Sequence, residues 1–409
     1  SQHRLRAVPV ELHLRLGDAG QAGRVHAEGI ASGIGRRALA DHKNQHFVPK
    51  IHFKAFSKLG FGKSINLYLI DHDRTVVDAP IKGQCAKHYL YGTDGNLERI
   101  LGELEGEYGK LIARLVEASY QITDSDKWLL RYFILVQSHR TAEQIDRAFV
   151  RMSEMASFFQ KAQEAHGMPW DSNDDPTPER AMTELMLSFN EQMQGRVLDD
   201  LKVVIVRNRT EHDFVTSDDP AVTTNRWLLQ RKKINIFGTN SAGLNMFLPL
   251  SPRSLALLYD PAVYSIPTSG SGTIDVVKER DVLALNEHQY MRAVSAIYFH
   301  GRNDAVRVAK EFHAARNFRP SRWDRFTVAK RDGQSATHTR YSVGEPDDVA
   351  KADAILFHLA REWPQPPRWP SFLRYRESAH GFSKGRVIVR RARQMKFEIG
   401  EEGNYYRVK

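Results

Sequence analysis

Apolar residues recur at helical spacing through the first half of the chain. After Asp94 they fall three or four positions apart, which predicts an amphipathic helix. Asp124 is the predicted N-cap of a second helix, whose middle at 128–136 is apolar on nearly every face and is expected to be buried. Further amphipathic helices are predicted through 145–159 and 176–194. The apolar positions of the first helix are Leu97, Ile100, Leu101, Leu104, Tyr108, Leu111, Ile112 and Leu115.

The period then changes from helical to strand-like. Short β-rich runs separated by turn residues lie at 203–206, 214–216, 245–248 and 255–258, and an earlier alternating run covers 64–70. Helices followed by strands predict an α+β fold, with a helical half packed on a mostly antiparallel sheet. One more helix is predicted over 279–299.

Composition and turn residues divide the chain into four parts. Residues 1–43 are rich in Gly, Ala and Arg and show no period, so we expect a disordered or non-native leader. The main α+β domain is predicted at 44–362. The Pro-rich segment 363–370 is predicted to be a stiff linker before a basic, β-type C-terminal extension at 371–409.

The overall composition is that of a soluble globular protein. Hydrophobic residues make up 41% of the chain and charged residues 26%. The single cysteine, Cys85, leaves no internal disulfide to form, and no apolar run is long enough for a membrane span. We therefore expect a cytoplasmic protein without a membrane partner.

The positive charge is concentrated at the C-terminal end. The net charge is +10, and from Arg361 to Lys409 twelve Lys and Arg residues face five Asp and Glu residues, a difference of seven. Arg390, Arg391, Arg393 and Lys396 alternate with apolar and aromatic residues, a pattern that would suit nucleic-acid binding through phosphate contacts and stacking. The alternative is a solvated charged face.

Several polar fragments occur in a recognisable order and spacing. They are His46-Phe47-Val48-Pro49, the pair Gln137 and Arg140, Ser217-Asp218-Asp219-Pro220, Leu248-Pro249-Leu250-Ser251-Pro252, and Asn286. Together they resemble a bacterial family known as domain of unknown function 4238 (DUF4238), over about residues 44–300. The resemblance implies a fold but no established activity, cofactor or catalytic residue. Similar proteins commonly carry Asn at the position of Asp219.

The acidic pair is the first candidate for chemistry. Asp218 and Asp219 follow a predicted strand, where polar groups from several elements can converge. Paired carboxylates there could hold Mg²⁺ or another divalent cation, or one could act as a general base. The alternative is an Asx-turn, in which the carboxylates accept backbone N–H bonds and Pro220 fixes the exit of the chain.

Three other residues complete the candidate site. His46 could act as general base, or it could be a hydrogen-bonded structural histidine. Arg140 could bind a phosphate group, or it could pair with Asp218 and hold helix against sheet. Asn286, inside a predicted helix, needs a partner and could simply fasten that helix to a loop.

These residues favour a metal-assisted hydrolase of the phosphodiesterase or nuclease type, acting on a phosphate-containing substrate. The hypothesis requires His46, Arg140, Asp218 and Asn286 to border one cleft. The alternatives are a non-catalytic nucleic-acid-binding protein that uses the basic extension, and a protein-interaction module. Enzymatic activity and oligomeric state are left open by the sequence.

Overall fold

A computed structural model describes residues 44–57, 62–91, 96–117, 119–270, 272–334, 339–383, 388–391 and 406–408. The predicted leader, 1–43, lies outside the described residues, and so do Arg393 and Lys396. Within these ranges the predicted α+β architecture is confirmed, and nearly all strand pairs are antiparallel. No helix in the described ranges is both long and apolar enough to cross a membrane.

The helices of the first half confirm the period of apolar residues. Each buries its apolar stripe in one shared core, in which Leu111, Phe133, Ala148 and Leu185 meet. This burial, rather than helix propensity alone, stabilises them. These helices are α1 Lys50–Phe56, α2 Asn96–Leu115, α3 Asp124–Gln137, α4 Ala142–Ala165 and α5 Pro178–Gln194. Three later helices, α6 Glu279–Arg292, α7 Ala305–Ala315 and α8 Pro346–Val349, pack in other cores.

The N-cap of α3 is Thr123, so the prediction of Asp124 was wrong by one residue. The Thr123 hydroxyl accepts the backbone N–H of Asp126, and the Asp126 carboxylate accepts the backbone N–H of Thr123. This reciprocal capping box contributes about 1 kcal/mol to the helix. Asp126 also pairs with Arg114 at 2.8 Å, which ties α2 to α3.

Three sheets contain most of the strands. Their strands are β2 Ser64–Leu69, β3 Arg74–Pro80, β5 Lys202–Asn208, β6 Thr216–Ser217, β7 Val222–Thr224, β8 Asn245–Ser251, β9 Ser254–Tyr259, β11 Thr273–Val276, β12 Ala296–Phe299, β13 Asp324–Gln334, β14 Thr339–Val343 and β15 Ile355–Arg361. One sheet has five strands in the order β11-β5-β9-β8-β7, one has four in the order β3-β2-β12-β6, and one has three in the order β14-β13-β15. Only the β11–β5 pair among these is parallel.

The remaining strands form small ribbons. They are β1 Asn44–His46, which pairs with β4 Ala86–His88, β10 Tyr264–Ser265, which pairs with β16 Arg374–Tyr375, and β17 Gly381–Ser383, which pairs with both β18 Ile388–Val389 and β19 Tyr406–Val408.

The five-stranded sheet is buried on both faces. Successive residues of β5 point to opposite sides, so Val203 and Ile205 face the helical core, while Val204 and Val206 face a second core. The second core is completed by α6 and by residues from the C-terminal part of the chain. A strand with both faces buried has apolar residues at successive positions, as at 203–206.

The predicted helix over 279–299 was too long. Helix α6 ends at Arg292, and Ala296–Phe299 forms β12, which lies between β2 and β6 in the four-stranded sheet. The run Ala296-Ile297-Tyr298-Phe299 is β-rich and fully buried, so sheet pairing outweighs the apolar pattern that favoured helix. The predicted strand at 214–216 is likewise shorter and shifted, at Thr216–Ser217.

The Pro-rich segment packs against the main body. Trp363 and Phe372 are buried in the second core, and the Trp363 ring stacks on Phe237 with a centroid separation of 4.3 Å. The backbone N–H of Ser371 donates to Asp281 of α6 at 2.7 Å. The described residues after 363 therefore share a core with residues 202–285. Whether 371–409 folds as a separate unit stays a prediction.

The three-stranded sheet lies against the C-terminal half of α4. Phe158 contacts Phe326 and Phe357 of this sheet, and Val328 and Val349 complete a small apolar cluster. The connection that enters β13, residues 319–324, runs past the first turns of the same helix, where its side chains contact Arg147. This placement brings α4, α6, the 319–324 connection and the end of β15 together at one seam.

Candidate functional site

Asp219 lies at this seam and is fully buried. Its carboxylate accepts hydrogen bonds from the Thr141 hydroxyl at 3.3 Å and from the Gln144 amide at 3.0 Å, and it forms an ion pair with Arg292. Thr141 is the N-cap of α4, and Arg292 is the last residue of α6. Asp219 therefore holds the ends of two helices to the chain that leaves β6.

Asp218 has a different set of partners. Its two carboxylate oxygens accept the backbone N–H groups of Val294 and Ser295 at 2.9 and 2.6 Å, just after α6. Burial raises the pKa of Asp218 to about 6, although the two backbone N–H groups act in the opposite direction. The Asp218 carboxylate accepts backbone N–H groups, as in the Asx-turn alternative. In an Asx-turn these groups belong to the next residues of the chain, whereas here they belong to Val294 and Ser295.

The two neighbouring carboxylates do not fit the predicted Mg²⁺ site. Both carboxylate oxygens of Asp218 accept backbone N–H groups. Asp219 pairs with the guanidinium of Arg292, so a metal cation bound there would lie beside another positive charge. Within the described ranges, no cluster of three or more His, Cys, Asp or Glu side chains could hold a metal ion. We derive no catalytic step through a metal at this place.

His46 is buried at the end of β1. Its Nε2 lies 3.1 Å from the carbonyl oxygen of Lys82, and because a carbonyl only accepts, this nitrogen carries the proton. Burial lowers the pKa of His46, and the nearby charge of Lys50 lowers it further. His46 is thus a neutral, hydrogen-bonded side chain at pH 7, as its structural alternative proposed.

Arg140 is fully buried in the turn between α3 and α4. Its Nε donates to Gln137 at 2.9 Å and its Nη1 donates to Glu105 at 2.9 Å. The suggested pairing with Asp218 was wrong, because the carboxylate within reach belongs to Glu105 on α2. Nη2 of Arg140 has no hydrogen-bond partner among the described residues.

Asn286 fastens α6 to the strand region, as its alternative interpretation proposed. The side-chain oxygen accepts the backbone N–H of Val215 at 3.1 Å, and the amide nitrogen donates to the carbonyl of Asp213 at 3.0 Å. Gln289, three residues on, repeats this with Ser217 and the carbonyl of Pro220. Sequence reasoning missed Gln289, although its i+3 spacing from Asn286 was a usable signal.

The side chains of His46, Arg140, Asp218 and Asn286 share no hydrogen-bond partner among the described residues, and each is buried. The backbones of two of them are linked, because the Tyr91 hydroxyl lies 3.5 Å from the carbonyl oxygen of His46 and 3.2 Å from that of Arg140. The hydrolase hypothesis required these four side chains to border one cleft. Their hydrogen bonds do not bring them together.

The basic extension is described only in part. Arg390 is buried: it pairs with Asp200 at 3.0 Å and donates to the backbone carbonyls of Val197, Thr239 and Ser241. Arg391 also pairs with Asp200, at 3.1 Å. These two guanidinium groups tie β18 to the main body, whereas Arg393 and Lys396 lie outside the described residues. Nucleic-acid binding by this segment stays a prediction.

A group that sequence reasoning did not select lies beside Asp219. Two arginines lie over the indole of Trp323 and three more lie close to this pair, and we call the five the arginine cluster. The guanidinium carbon of Arg147 lies 3.7 Å from the centroid of the Trp323 rings, and that of Arg292 lies 5.4 Å away. The members are Arg147 and Arg151 of α4, Arg292 of α6, Arg319 of the 319–324 connection and Arg361 of β15.

Four of the five arginines have carboxylate partners. Arg147 pairs with Glu143 and Arg292 with Asp219, while Asp324 is shared by Arg151 at 3.7 Å and Arg361 at 3.5 Å. Arg319 makes no ion pair or side-chain hydrogen bond with any described residue, although it lies in the field of Glu143 and Asp218. The side chains of Arg147 and Arg292 are only 7% and 6% exposed.

The positively charged guanidinium groups of the arginine cluster repel one another. Burial lowers the pKa of Arg147 to about 10, and the next largest cause is the charge of Arg292. Burial also lowers the pKa values of Arg319 and Arg361, again with a contribution from Arg292. In addition, Nη2 of Arg147 and Nε of Arg292 are buried without a hydrogen-bond partner among the described residues. Such an arrangement costs free energy unless an anion offsets it.

His288 lies apart from this cluster. It is fully enclosed between Phe247 and Trp369, at ring separations of 4.9 and 5.2 Å, and its Nε2 has no hydrogen-bond partner among the described residues. Burial lowers the pKa of His288 to about 3. The neighbouring Glu287 pairs with Arg368 at 2.8 Å. His288 is therefore a neutral core residue.

This burial predicts an acid-sensitive contribution to stability. His288 binds a proton near pH 6.5 in the unfolded chain but only near pH 3 in the folded chain. Protonation therefore favours the unfolded state, so the free energy of unfolding is highest above pH 6.5 and decreases as the pH falls towards 3. The loss is about 1.4 kcal/mol per pH unit. We expect His288→Phe to reduce the fall in unfolding free energy between pH 7 and pH 5 by about 2 kcal/mol, measured with guanidinium chloride. An unchanged difference between the two pH values would refute the assignment.

Comparison with known proteins identifies one family. Its model, described as "Protein of unknown function (DUF4238)", matches residues 44–303. The matched region contains Asp219, Arg147 and Arg292, whereas Arg319, Trp323 and Arg361 lie beyond it. No curated protein and no solved structure matches the chain.

Proposed function

The chain belongs to the DUF4238 family, and from that premise we propose that it binds a phosphate-containing small molecule at the arginine cluster. The family brings no activity, so the proposal rests on the chemistry of the site. One observation carries it: two guanidinium groups with unused N–H donors, on Arg147 and Arg292, are buried side by side against Trp323.

Phosphate is the ligand class that this chemistry favours. A guanidinium group presents its donors in a planar fork, which matches two oxygens of a phosphate group. Arg147, Arg292 and Arg319 come from three different elements, so they can approach a tetrahedral anion from different sides. Charge–charge attraction is also stronger at a buried site than in water.

The outer side of the cluster offers a route for a ligand. Arg319 and Trp323 are only half-buried, whereas Arg147 and Arg292 lie behind them. A ligand that arrives at Arg319 would meet a cation with no ion-pair partner among the described residues. It would then reach the unused donors of the two inner arginines. The ion pair with Asp219 holds Arg292 in place.

The proposal keeps one half of the hydrolase hypothesis and sets the other aside. Recognition of a phosphate group is retained, but it is assigned to Arg147, Arg292 and Arg319 instead of Arg140. Hydrolysis and nucleic-acid binding remain predictions. Binding alone is therefore the function that the contacts support best.

Replacing Arg147 with Met tests this proposal. The variant removes the charge but keeps an unbranched side chain over Trp323, and it leaves Glu143 partly exposed, where water can solvate the carboxylate. Without ligand, the thermal unfolding midpoint should stay the same or rise, because a repulsive neighbour of Arg292 is gone. Inorganic pyrophosphate at about 100 times its wild-type Kd should stabilise the wild-type protein by about 3 kcal/mol, a shift of a few degrees, and should stabilise the variant by at most about half as much.

Arg99→Met is the matched control. Arg99 also pairs with a glutamate four residues away, Glu103, but its side chain is 64% exposed on α2. This variant should respond to pyrophosphate as the wild-type protein does. The proposal fails if pyrophosphate has no effect on the wild-type protein, or if it shifts the midpoint of Arg147→Met by the same amount.

A further inference from the structure

We propose that the ligand of the arginine cluster is an anionic amphiphile, whose apolar tail lies in a groove beside the cluster along α4. This inference rests on the proposed function and adds the substrate class. The groove has a volume of about 590 Å³, within the range of small-molecule sites. Its apolar wall consists of Phe149, Val150, Phe158, Phe326 and Pro346.

The groove and the cluster are continuous along one face of α4. Arg147 belongs to the cluster and Val150 to the groove, and residues three apart on a helix are neighbours on its surface. The same holds for Arg151 and Glu154. Trp323, which contacts the cluster, directly follows Arg322, which lines the groove. A ligand with its phosphate group at the Nη2 donor of Arg147, which is free among the described residues, would therefore extend its other end into the groove.

The groove exposes apolar surface that the described residues do not cover. Val150 is 55% exposed, and Phe159, next to the groove residue Phe158, is 44% exposed and stacks on Phe357. Burying such side chains removes apolar area from water, at about 25 cal/mol per Å². The groove is thus suited to a chain of methylene groups.

Three charged residues, Glu154, Lys161 and Arg322, also line the groove, and each has a partner of opposite charge. Arg322 pairs with Glu154, and Lys161 pairs with Asp347 at 2.7 Å, so these charges are already matched. The unmatched donors lie at the cluster end. This polarity fixes the orientation of the ligand, with the anionic head at the cluster and the tail pointing towards Lys161. The concave shape and small volume favour one small molecule over a protein partner.

The experiment compares n-octyl phosphate with inorganic phosphate and with n-octyl glucoside, each below the micellar concentration, by isothermal titration calorimetry. We expect octyl phosphate to bind at least about 10-fold more tightly than inorganic phosphate, since each buried methylene contributes favourably. The neutral glucoside should bind more weakly than octyl phosphate. Ser157→Phe fills the groove from an exposed position on α4 and should remove the gain while leaving the affinity for inorganic phosphate unchanged.

Ser125→Phe, at an exposed position on α3, is the matched control and should leave both affinities unchanged. If inorganic phosphate binds but the octyl chain adds nothing, or if Ser157→Phe does not reduce the gain, the amphiphile inference is overturned and the proposed function stands. Equal affinity for the glucoside would overturn the inference in the same way. If neither phosphate compound binds, both proposals fall.

Discussion

Replacing Asp219 with Ala is expected to lower the free energy of unfolding by about 3–5 kcal/mol. Asp219 is fully buried, and the change leaves the guanidinium of Arg292, itself 6% exposed, without a carboxylate. It also removes the acceptor of the Thr141 and Gln144 side chains at the start of α4. Chemical unfolding with guanidinium chloride measures the effect.

Asp275→Ala is the control for this prediction. Asp275 pairs with Arg209 at 3.2 Å, but both side chains are about half exposed, so water screens the pair and its loss should cost at most about 1 kcal/mol. Asp219→Asn keeps one oxygen acceptor, so its loss of unfolding free energy should lie between those of Asp219→Ala and Asp275→Ala. An effect of Asp219→Ala no larger than that of Asp275→Ala would mean that Asp219 does not anchor the seam.

Removing Glu105 is expected to have the second large effect. Glu105 is the one carboxylate within ion-pair distance of Arg140 among the described residues, and the Arg140 side chain has no exposed surface. Glu105→Ala therefore leaves a buried charge uncompensated, which should cost about 3 kcal/mol. The lower end of the usual range applies because Glu105 itself is 26% exposed, and water can partly replace it.

A second substitution distinguishes this cause from simple loss of packing. Arg140→Met removes the buried charge, so the double variant Glu105→Ala with Arg140→Met should be more stable than Glu105→Ala alone. If the two substitutions instead add, the cost of Glu105→Ala comes from packing around α2, and the charge argument is wrong. The thermal and chemical unfolding of the four proteins forms a double-mutant cycle.

Much of the architecture could be predicted from the spacing of apolar residues. The helices that became α2, α4 and α5, and the strands that became β5, β8 and β9, each carry a local pattern that tertiary contacts support. The error at 293–299 has a physical cause: Ala296–Phe299 is apolar enough to continue a helix, and only its long-range pairing with β2 and β6 makes it a strand. Single-sequence patterns do not contain that pairing.

The candidate site was less accessible to sequence reasoning. Asp218 and Asp219 lie directly after a strand, as predicted, but they are buried, and their neighbours in space come from segments about 75 residues away in sequence. Arg147 and Arg151 on α4 look like the solvated face of an amphipathic helix. They become buried only because Trp323 and the start of β13 cover them. No local signal links Arg147, Arg292 and Arg319.

The central claim is that buried guanidinium donors at the arginine cluster bind phosphate. Calorimetric titration of inorganic pyrophosphate into the wild-type protein and into Arg147→Met tests it most directly. We predict one site per wild-type chain and an affinity at least about 10-fold weaker in the variant, the loss expected for one charge-assisted contact. Equal affinity and stoichiometry in the two proteins would contradict the claim.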